Sequence, residues 1–355
     1  LRRQGAELVG PCPACGGTDR FGINRRDNVF VCRRGSGKGD AIALVQYVDG
    51  IDFLTACSIL TGEPIPDRDA APPDPAVAAA REAERAARRA ERERESEAFR
   101  ERARREAYQL WRTGRPAAGT SVEAYLEARR LPFLPIVRWL PDLAYRHQLA
   151  DKSWMVAHSG PVMLAPVLRP DGRFGAIHLT WLDPARPGRK AVIADPERAG
   201  ETLPAKKVRG VKKGGAVRLT DPPGARRMVI GEGIETTASA MAAERRLDTA
   251  YWVAVDLGNL GGAAAASVQH PSATRTDKSG RVRPATVAGP EPDLTDTEAF
   301  VPPSHIRQLV LLGDGDSDRF ATEAALTRGG RRAMRLVPGL SAGIAWAPEG
   351  QDWND

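Results

Sequence analysis

Two acidic runs carry the clearest chemistry in this 355-residue sequence. Met228-Val229-Ile230-Gly231-Glu232-Gly233-Ile234-Glu235-Thr236 delivers a carboxylate, Glu232, from the end of an apolar run, between glycines that let the backbone turn sharply. Leu309-Val310-Leu311-Leu312-Gly313-Asp314-Gly315-Asp316-Ser317-Asp318 repeats the design. In an extended stretch alternate side chains share a face, so Asp314 and Asp316 can serve one hard divalent cation through oxygen. Three acids, Glu232, Asp314 and Asp316, brought to one sheet edge are expected to form a magnesium site. The closing Asp352-Trp353-Asn354-Asp355 adds acids that either complete that site or are merely solvated.

A second chemistry is sulfur. Cys12-Pro13-Ala14-Cys15 is half of a zinc site, two thiolates on a tight turn, and Phe30-Val31-Cys32 supplies a third. Three cysteines crowded into the first tenth of the chain favour metal over disulfides in a reducing compartment. The next expected ligand position is Gly35, and no histidine occurs in the first hundred residues. Zinc held by Cys12, Cys15 and Cys32 with water or a carboxylate therefore competes with a metal-free, degenerate finger. The fourth cysteine, Cys57, shares an apolar helical face with Phe53 and Leu60 and is expected in the core. Gly35-Ser36-Gly37-Lys38-Gly39-Asp40 imitates the tail of a phosphate-binding loop. Gly39, however, stands where a hydroxyl would hold magnesium, which excludes an ATPase here.

The elements that must position these groups are legible as a multidomain α+β and α/β chain. Residues 1–63 predict a small zinc-ribbon-like module: short strands at Phe21–Ile23 and Val29–Val31, then helices starting at the N-caps Asp40 and Asp52, the second stopping at Gly62. Residues 64–107 are Pro-rich and then almost pure Ala, Arg and Glu, a solvated helical linker supported by pairs such as Glu84 and Arg88. Residues 108–223 predict a mixed α/β subdomain with helices at 108–113 and 121–130 and strands at Val162–Leu168, Phe174–Trp181, Lys190–Ile193 and Val217–Leu219. Residues 224–355 alternate strand and helix: Met228–Ile230, a helix from 234 to 246, Tyr251–Val255, Gln308–Leu312, a helix from 318 to 329, and Arg335–Val337. That alternation predicts a mainly parallel sheet, and chemistry collects at its carboxyl edge. The aperiodic stretch 258–303 is expected to be a flexible insertion.

Composition bounds the partners. At 27% charged and 42% hydrophobic, the chain fits two or three globular units. Its 52 Lys and Arg outnumber 45 Asp and Glu, a net charge of +7 that favours a polyanionic partner. No run of about 18 apolar residues exists, so no membrane partner is expected. The start, Leu-Arg-Arg-Gln, offers neither a signal core nor an initiator Met, so a cytoplasmic protein cut from a longer chain is expected.

Taken together, these residues resemble the bacterial (DnaG-type) primases, particularly the phage and plasmid branch. Cys-Pro-x-Cys-Gly-Gly-x-Asp-Arg-Phe, Phe-Val-Cys and Gly-Asp-Ala-Ile-x-Leu-Val are similar to the primase zinc-binding domain over 11–60. Glu-Gly-Ile-Glu-Thr and Gly-Asp-Gly-Asp-Ser-Asp look like the two acidic motifs of a Toprim domain. Trp181-Leu182-Asp183, Lys190-Ala191 and Lys206-Lys207-x-Arg209-Gly210 are similar to the basic subdomain that precedes it. The resemblance implies template-directed synthesis of short RNA primers on single-stranded DNA from nucleoside triphosphates, beside a replicative helicase that is fused or separate. It implies Mg2+ or Mn2+ on Asp314 and Asp316, with Asp318 as a further ligand, and Glu232 as metal ligand or general base. Lys190, Lys206, Lys207, Arg209, Lys212 and Lys213 would hold phosphates. Two alternatives stand beside it: a Toprim nuclease or topoisomerase using the same acids, and a non-catalytic nucleic-acid-binding replication protein derived from a primase.

Overall fold

The computed structural model describes residues 1–4, 7–25, 27–34, 37–63, 65, 75–276 and 281–354. The chain divides into two compact units, Leu1–Arg89 and Ala90–Asp355. Among the described residues no single helix is long and apolar enough to cross a membrane.

The first unit is a small antiparallel sheet with two helices. Strands β1 (Arg2–Gln4), β2 (Glu7–Cys12), β3 (Gly16–Asn24), β4 (Val29–Cys32) and β5 (Lys38–Gly39) pair in chain order. Asp40 caps helix α1 (Ala41–Asp49) by accepting from Ala43 N, and Asp52 caps α2 (Phe53–Thr61) by accepting from Leu54 N and Thr55 N. Both helices end on a left-handed glycine, Gly50 and Gly62, the conformation that a side chain would resist. The core is Cys12, Phe21, Phe30 and Cys32, with Ile23, Ala43, Leu44 and Tyr47 packed against it. One expectation is corrected. Phe53 and Leu60 are 56% and 47% exposed and Cys57 is half-buried, because the sheet and α1 fill this core while α2 packs chiefly on α1. Gly35, the expected position of the fourth metal ligand, lies outside the described residues.

Helix α3 (Pro75–Thr113) is one continuous element that includes the stretch 108–113 expected as a separate helix. Its charged surface carries the Glu84–Arg88 pair at 2.6 Å, and only near its end do Ala107, Leu110 and Trp111 enter a core.

The second unit stacks two sheets. After β6 (Arg115–Pro116), α4 (Ser121–Ala128), β7 (Arg138–Gln148), β8 (Trp154–Leu168), β9 (Phe174–Trp181), β10 (Ile193–Ala194), β11 (Thr202–Leu203) and β12 (Lys206–Gly210), an antiparallel sheet runs in the order β12-β9-β8-β7-β6. The expected strand Lys190–Ile193 is shorter and later; Lys190 makes only an isolated bridge to Leu182. Alternation along β8 and β9 sends Val162, Leu164, Ile177 and Leu179 toward the end of α3, and Met163, Ala165 and Ala176 toward the second sheet.

That second sheet is mixed and mostly parallel. Its elements are β13 (Val217–Thr220), β14 (Arg227–Gly231), α5 (Ile234–Glu244), β15 (Thr249–Val253), α6 (Leu257–Gly261), a hairpin of β16 (Ser267–Thr276) and β17 (Val282–Ala288), β18 (Gln308–Gly313), α7 (Arg319–Leu336) and β19 (Ser341–Trp346). The order is β13-β15-β14-β18-β19, with only β13 antiparallel to its neighbour. Arg335–Val337, expected as a strand, is instead the end of α7. The helix runs through Gly329-Gly330, which serve close packing: a Cβ on Gly329 would lie 2.9 Å from the Leu260 carbonyl of α6. The described parts of segment 258–303, whose composition suggested mobility, are tied to α7 by buried arginines. Arg328 donates to the carbonyls of Gly262 and Ala288, and Arg332, fully buried, to those of Ala263 and Asp296.

Candidate active site and metal centre

Strand β14 lies between β15 and β18, so the path of the chain through the parallel sheet reverses there, opening a crevice beyond the strand ends. Glu232 follows β14, Asp256 follows β15, and Asp314 and Asp316 follow β18. Burial pushes the Glu232 carboxyl above its ordinary range, with a contribution from Asp314 that Lys206 and Lys212 oppose. Burial also raises Asp314, aided by Asp316 and Asp352 and opposed by a hydrogen bond from Thr236 Oγ1 at 3.2 Å. Four acids, Glu232, Asp314, Asp316 and Asp352, thus share one electrostatic neighbourhood. Two of them, Glu232 and Asp314, are partly buried and resist ionisation because of burial and of each other; with the exposed Asp316 beside them they offer an oxygen donor set suited to a hard divalent cation.

Backbone geometry explains the glycines. A Cβ on Gly315 would overlap the Pro348 carbonyl, since residues 347–354 fold back over the acidic loop. Gly315 N donates to Gln351 O at 2.9 Å, Gly350 N to Gly315 O at 3.0 Å, and Trp353 Nε1 to Gly313 O at 3.0 Å. Asn354 exchanges hydrogen bonds with Arg129 and so pins the segment to the end of α4. This return is what carries Asp352 to Asp314. Asp318 has a different place: it caps α7 by accepting from Ala321 N at 2.9 Å and pairs with His270 Nε2 at 3.0 Å.

The basic residues divide. Lys206, Lys207 and Lys212 line a cleft of about 490 Å³ with His178, Glu232 and Asp256. Behind it, Lys190 Nζ and Lys206 Nζ converge on the Glu235 carboxylate at 3.1 and 3.2 Å, and Tyr125 Oη donates to it at 2.7 Å. Burial alone would raise Glu235; the two lysines and Tyr125 overcome it and hold the carboxyl well below its ordinary value. Lys207 donates to the Arg146 carbonyl and lies 3.8 Å over the Tyr145 ring. Lys212 pairs with Asp256 and Lys213 with Glu298, while Arg209 is half-buried near Arg146. Val255, at φ 77°, adopts a conformation rare for a β-branched residue and turns the chain so that Asp256 caps α6.

Sequence reasoning singled out neither Tyr125, His178 nor Asp256 and passed over Glu235. Glu235 had a signal, its place three residues after Glu232 at the start of a helix. His178 had one too, a lone imidazole in the apolar run of β9.

At the other site, Cys12, Cys15 and Cys32 are the one group of three or more metal-ligating residues among the described residues whose donor atoms all lie within 4.8 Å of one another. Cys12 and Cys32 are buried and Cys15 exposed, with 3.4 Å between the sulfurs of Cys15 and Cys32. Cys57 stands outside the group. Against the effect of burial, the Tyr47 hydroxyl and the N–H groups of Cys15 and Ala14 hold the Cys12 thiol below its ordinary value, which favours the thiolate that metals require.

Residues 101–219, from the last turns of α3 to β13, match a family described as a domain of unknown function, DUF7146. No curated protein matches the sequence. Among solved structures, the chain is similar to the zinc-binding and RNA polymerase domains of the Aquifex aeolicus primase at 11% identity, over 100% of this chain and 76% of that one, with a TM-score of 0.33. It is also similar to a DNA primase domain from Pseudomonas aeruginosa at 10% identity, over 71% and 73% of the two chains, with a TM-score of 0.39.

Proposed function

We propose that this chain is a primase-like nucleotidyltransferase of Toprim type that builds short RNA primers on single-stranded DNA. The observation that carries the reading is the pairing of Glu232 and Asp314 across the β14/β18 crevice with Lys206 and Lys212 beside them. Acids that gather a cation and lysines that attract phosphates are what transfer of a nucleotide onto a 3′-hydroxyl requires. Bound at Asp314 and Asp316, with Asp352 nearby, Mg2+ or Mn2+ would neutralise charge on the reacting phosphate and lower the pKa of the attacking hydroxyl.

The protein side of the reaction follows from the geometry. Lys206, anchored by Glu235, presents fixed positive charge to a triphosphate without reorganising when it arrives. Lys212 exchanges its Asp256 partner for phosphate. The raised proton affinity of Glu232 fits a group that takes the proton from the 3′-hydroxyl as the bond to the α-phosphorus forms and pyrophosphate leaves. Lys207, Arg209 and Lys213 extend the basic surface along which template phosphates would run, in a salt-dependent and sequence-blind manner. The cysteine module would assist in holding the template, and on this reading the protein would act in the cytoplasm beside a replicative helicase, fused or separate.

The test is incorporation of labelled ribonucleotides on single-stranded DNA with Mg2+. Product that depends on template and disappears in Asp314→Asn supports the proposal. No product from any template, with template binding intact, overturns it in favour of a binding protein; cleavage of plasmid without nucleotides overturns it in favour of a nuclease.

A further inference from the structure

Among the described residues the cysteine site gathers three thiols, one donor short of the four that structural zinc takes. The structure places a phenol oxygen against these thiols. Tyr47, near the end of α1, holds its hydroxyl 3.3 Å from Cys12 Sγ, and the same oxygen also interacts with the thiols of Cys32 and Cys15. Its position is built. The ring packs on Phe30 with centroids 5.5 Å apart, and Gly37, five residues after Cys32, leaves the space the ring occupies: a Cβ there would come within 2.5 Å of it.

The distances match a coordination tetrahedron. Zinc–sulfur bonds of about 2.3 Å and zinc–oxygen bonds of about 2.0–2.2 Å imply edges of about 3.8 Å between sulfurs and about 3.5 Å between sulfur and oxygen. The Cys15–Cys32 separation of 3.4 Å and the Cys12–Tyr47 separation of 3.3 Å lie within a few tenths of those edges. We propose that Tyr47 completes the site, its phenol oxygen filling the fourth corner of a three-sulfur, one-oxygen zinc centre. Three thiolates already overcompensate a dication, so a neutral phenol adds a donor without adding charge. The inference concerns the first unit alone and stands apart from the reading of the carboxylate edge.

The full chain tests it, with zinc affinity measured by chelator competition and Co2+ as the spectroscopic probe. The wild type is expected to bind one equivalent of metal, and its Co2+ spectrum to stay unchanged when imidazole is added, because the fourth corner is filled. Tyr47→Phe keeps the ring and removes the oxygen; zinc binding should weaken roughly 10–100-fold, and imidazole should now alter the Co2+ spectrum. Tyr47→His, which restores a donor, should recover the affinity. A wild-type protein that binds no zinc, a wild-type spectrum that responds to imidazole, or a Tyr47→Phe protein that holds zinc as tightly as the wild type overturns the proposal. The imidazole challenge of the wild type needs no variant, so it decides the matter even where Tyr47→Phe fails to fold.

Discussion

The cysteine site and the carboxylate edge are both places for a cation, yet they are assembled differently. Three sulfurs from the ends of β2 and β4 and the turn between β2 and β3 already lie within 4.8 Å of one another. The acids come from strand ends far apart in sequence, and no three of their oxygens come that close among the described residues. Protonation explains the contrast. Thiols are neutral until a metal displaces their protons, so they pack together at no electrostatic cost, whereas carboxylates are charged near neutrality and repel. A sulfur site can be prebuilt by folding; an acid site stays open until cation and substrate enter.

Four measurements break or sharpen that contrast, the largest effect first. Chelation should lower the melting temperature of the first unit and leave that of the second unchanged, because the prebuilt sulfur site loses a bound metal whose apparent binding free energy reaches roughly 10 kcal/mol; calorimetry with and without chelator reads this directly. Next, Asp314→Asn should lower nucleotide incorporation by roughly 1,000-fold, about 4 kcal/mol in barrier, while thermal stability holds or rises as like-charge repulsion is relieved. A stability loss instead would mean that the acid edge is prebuilt too.

Glu235→Gln should then cost about 2 kcal/mol in denaturant unfolding, less than a fully buried pair would, since it leaves the partly exposed Lys190 and Lys206 without their counter-charge. Wild-type stability in that variant would make the cluster a solvated surface pair.

The smallest effect over any single pH unit concerns His178, which burial and then Lys206 lower to about 4 from an ordinary 6.5. The folded protein keeps this imidazole neutral while the unfolded chain takes up a proton below pH 6.5. Its contribution is therefore complete above that pH and falls by about 1.4 kcal/mol per pH unit down to pH 4. Glu232 and Asp314 have the opposite sign, so the quantity to measure is wild type minus His178→Phe across pH 6.5–4.5. A difference independent of pH would show that the histidine is solvated.

Much of this architecture is legible in the sequence where one local signal suffices. Asp40, Asp52 and Gly62 cap the helices as side-chain chemistry predicts, and β9 has the bounds Phe174–Trp181 because its flanks are a turn and an Asp-Pro. Glu232 and Asp314 stand at strand ends because apolar runs followed by Gly and an acid have little else to be. Illegible features are those in which one residue answers to another far away. Gly329-Gly330 reads as a helix stop until Leu260 is seen against it. Lys190 and Lys206 read as free basic charge until Glu235 and Tyr125 close around them. Tyr47 reads as one more apolar position of α1 until the fold sets it among three sulfurs.

The Glu235 cluster also bears on how such a chain can change over generations. A carboxylate 5% exposed between two lysines and a phenol has no conservative single replacement, because losing a lysine or the phenol leaves the buried carboxylate under-satisfied, and losing the carboxylate leaves two lysines facing each other. Tyr125, Lys190, Lys206 and Glu235 are therefore expected to be inherited as a set, present together or lost together, although 110 positions separate the first from the last.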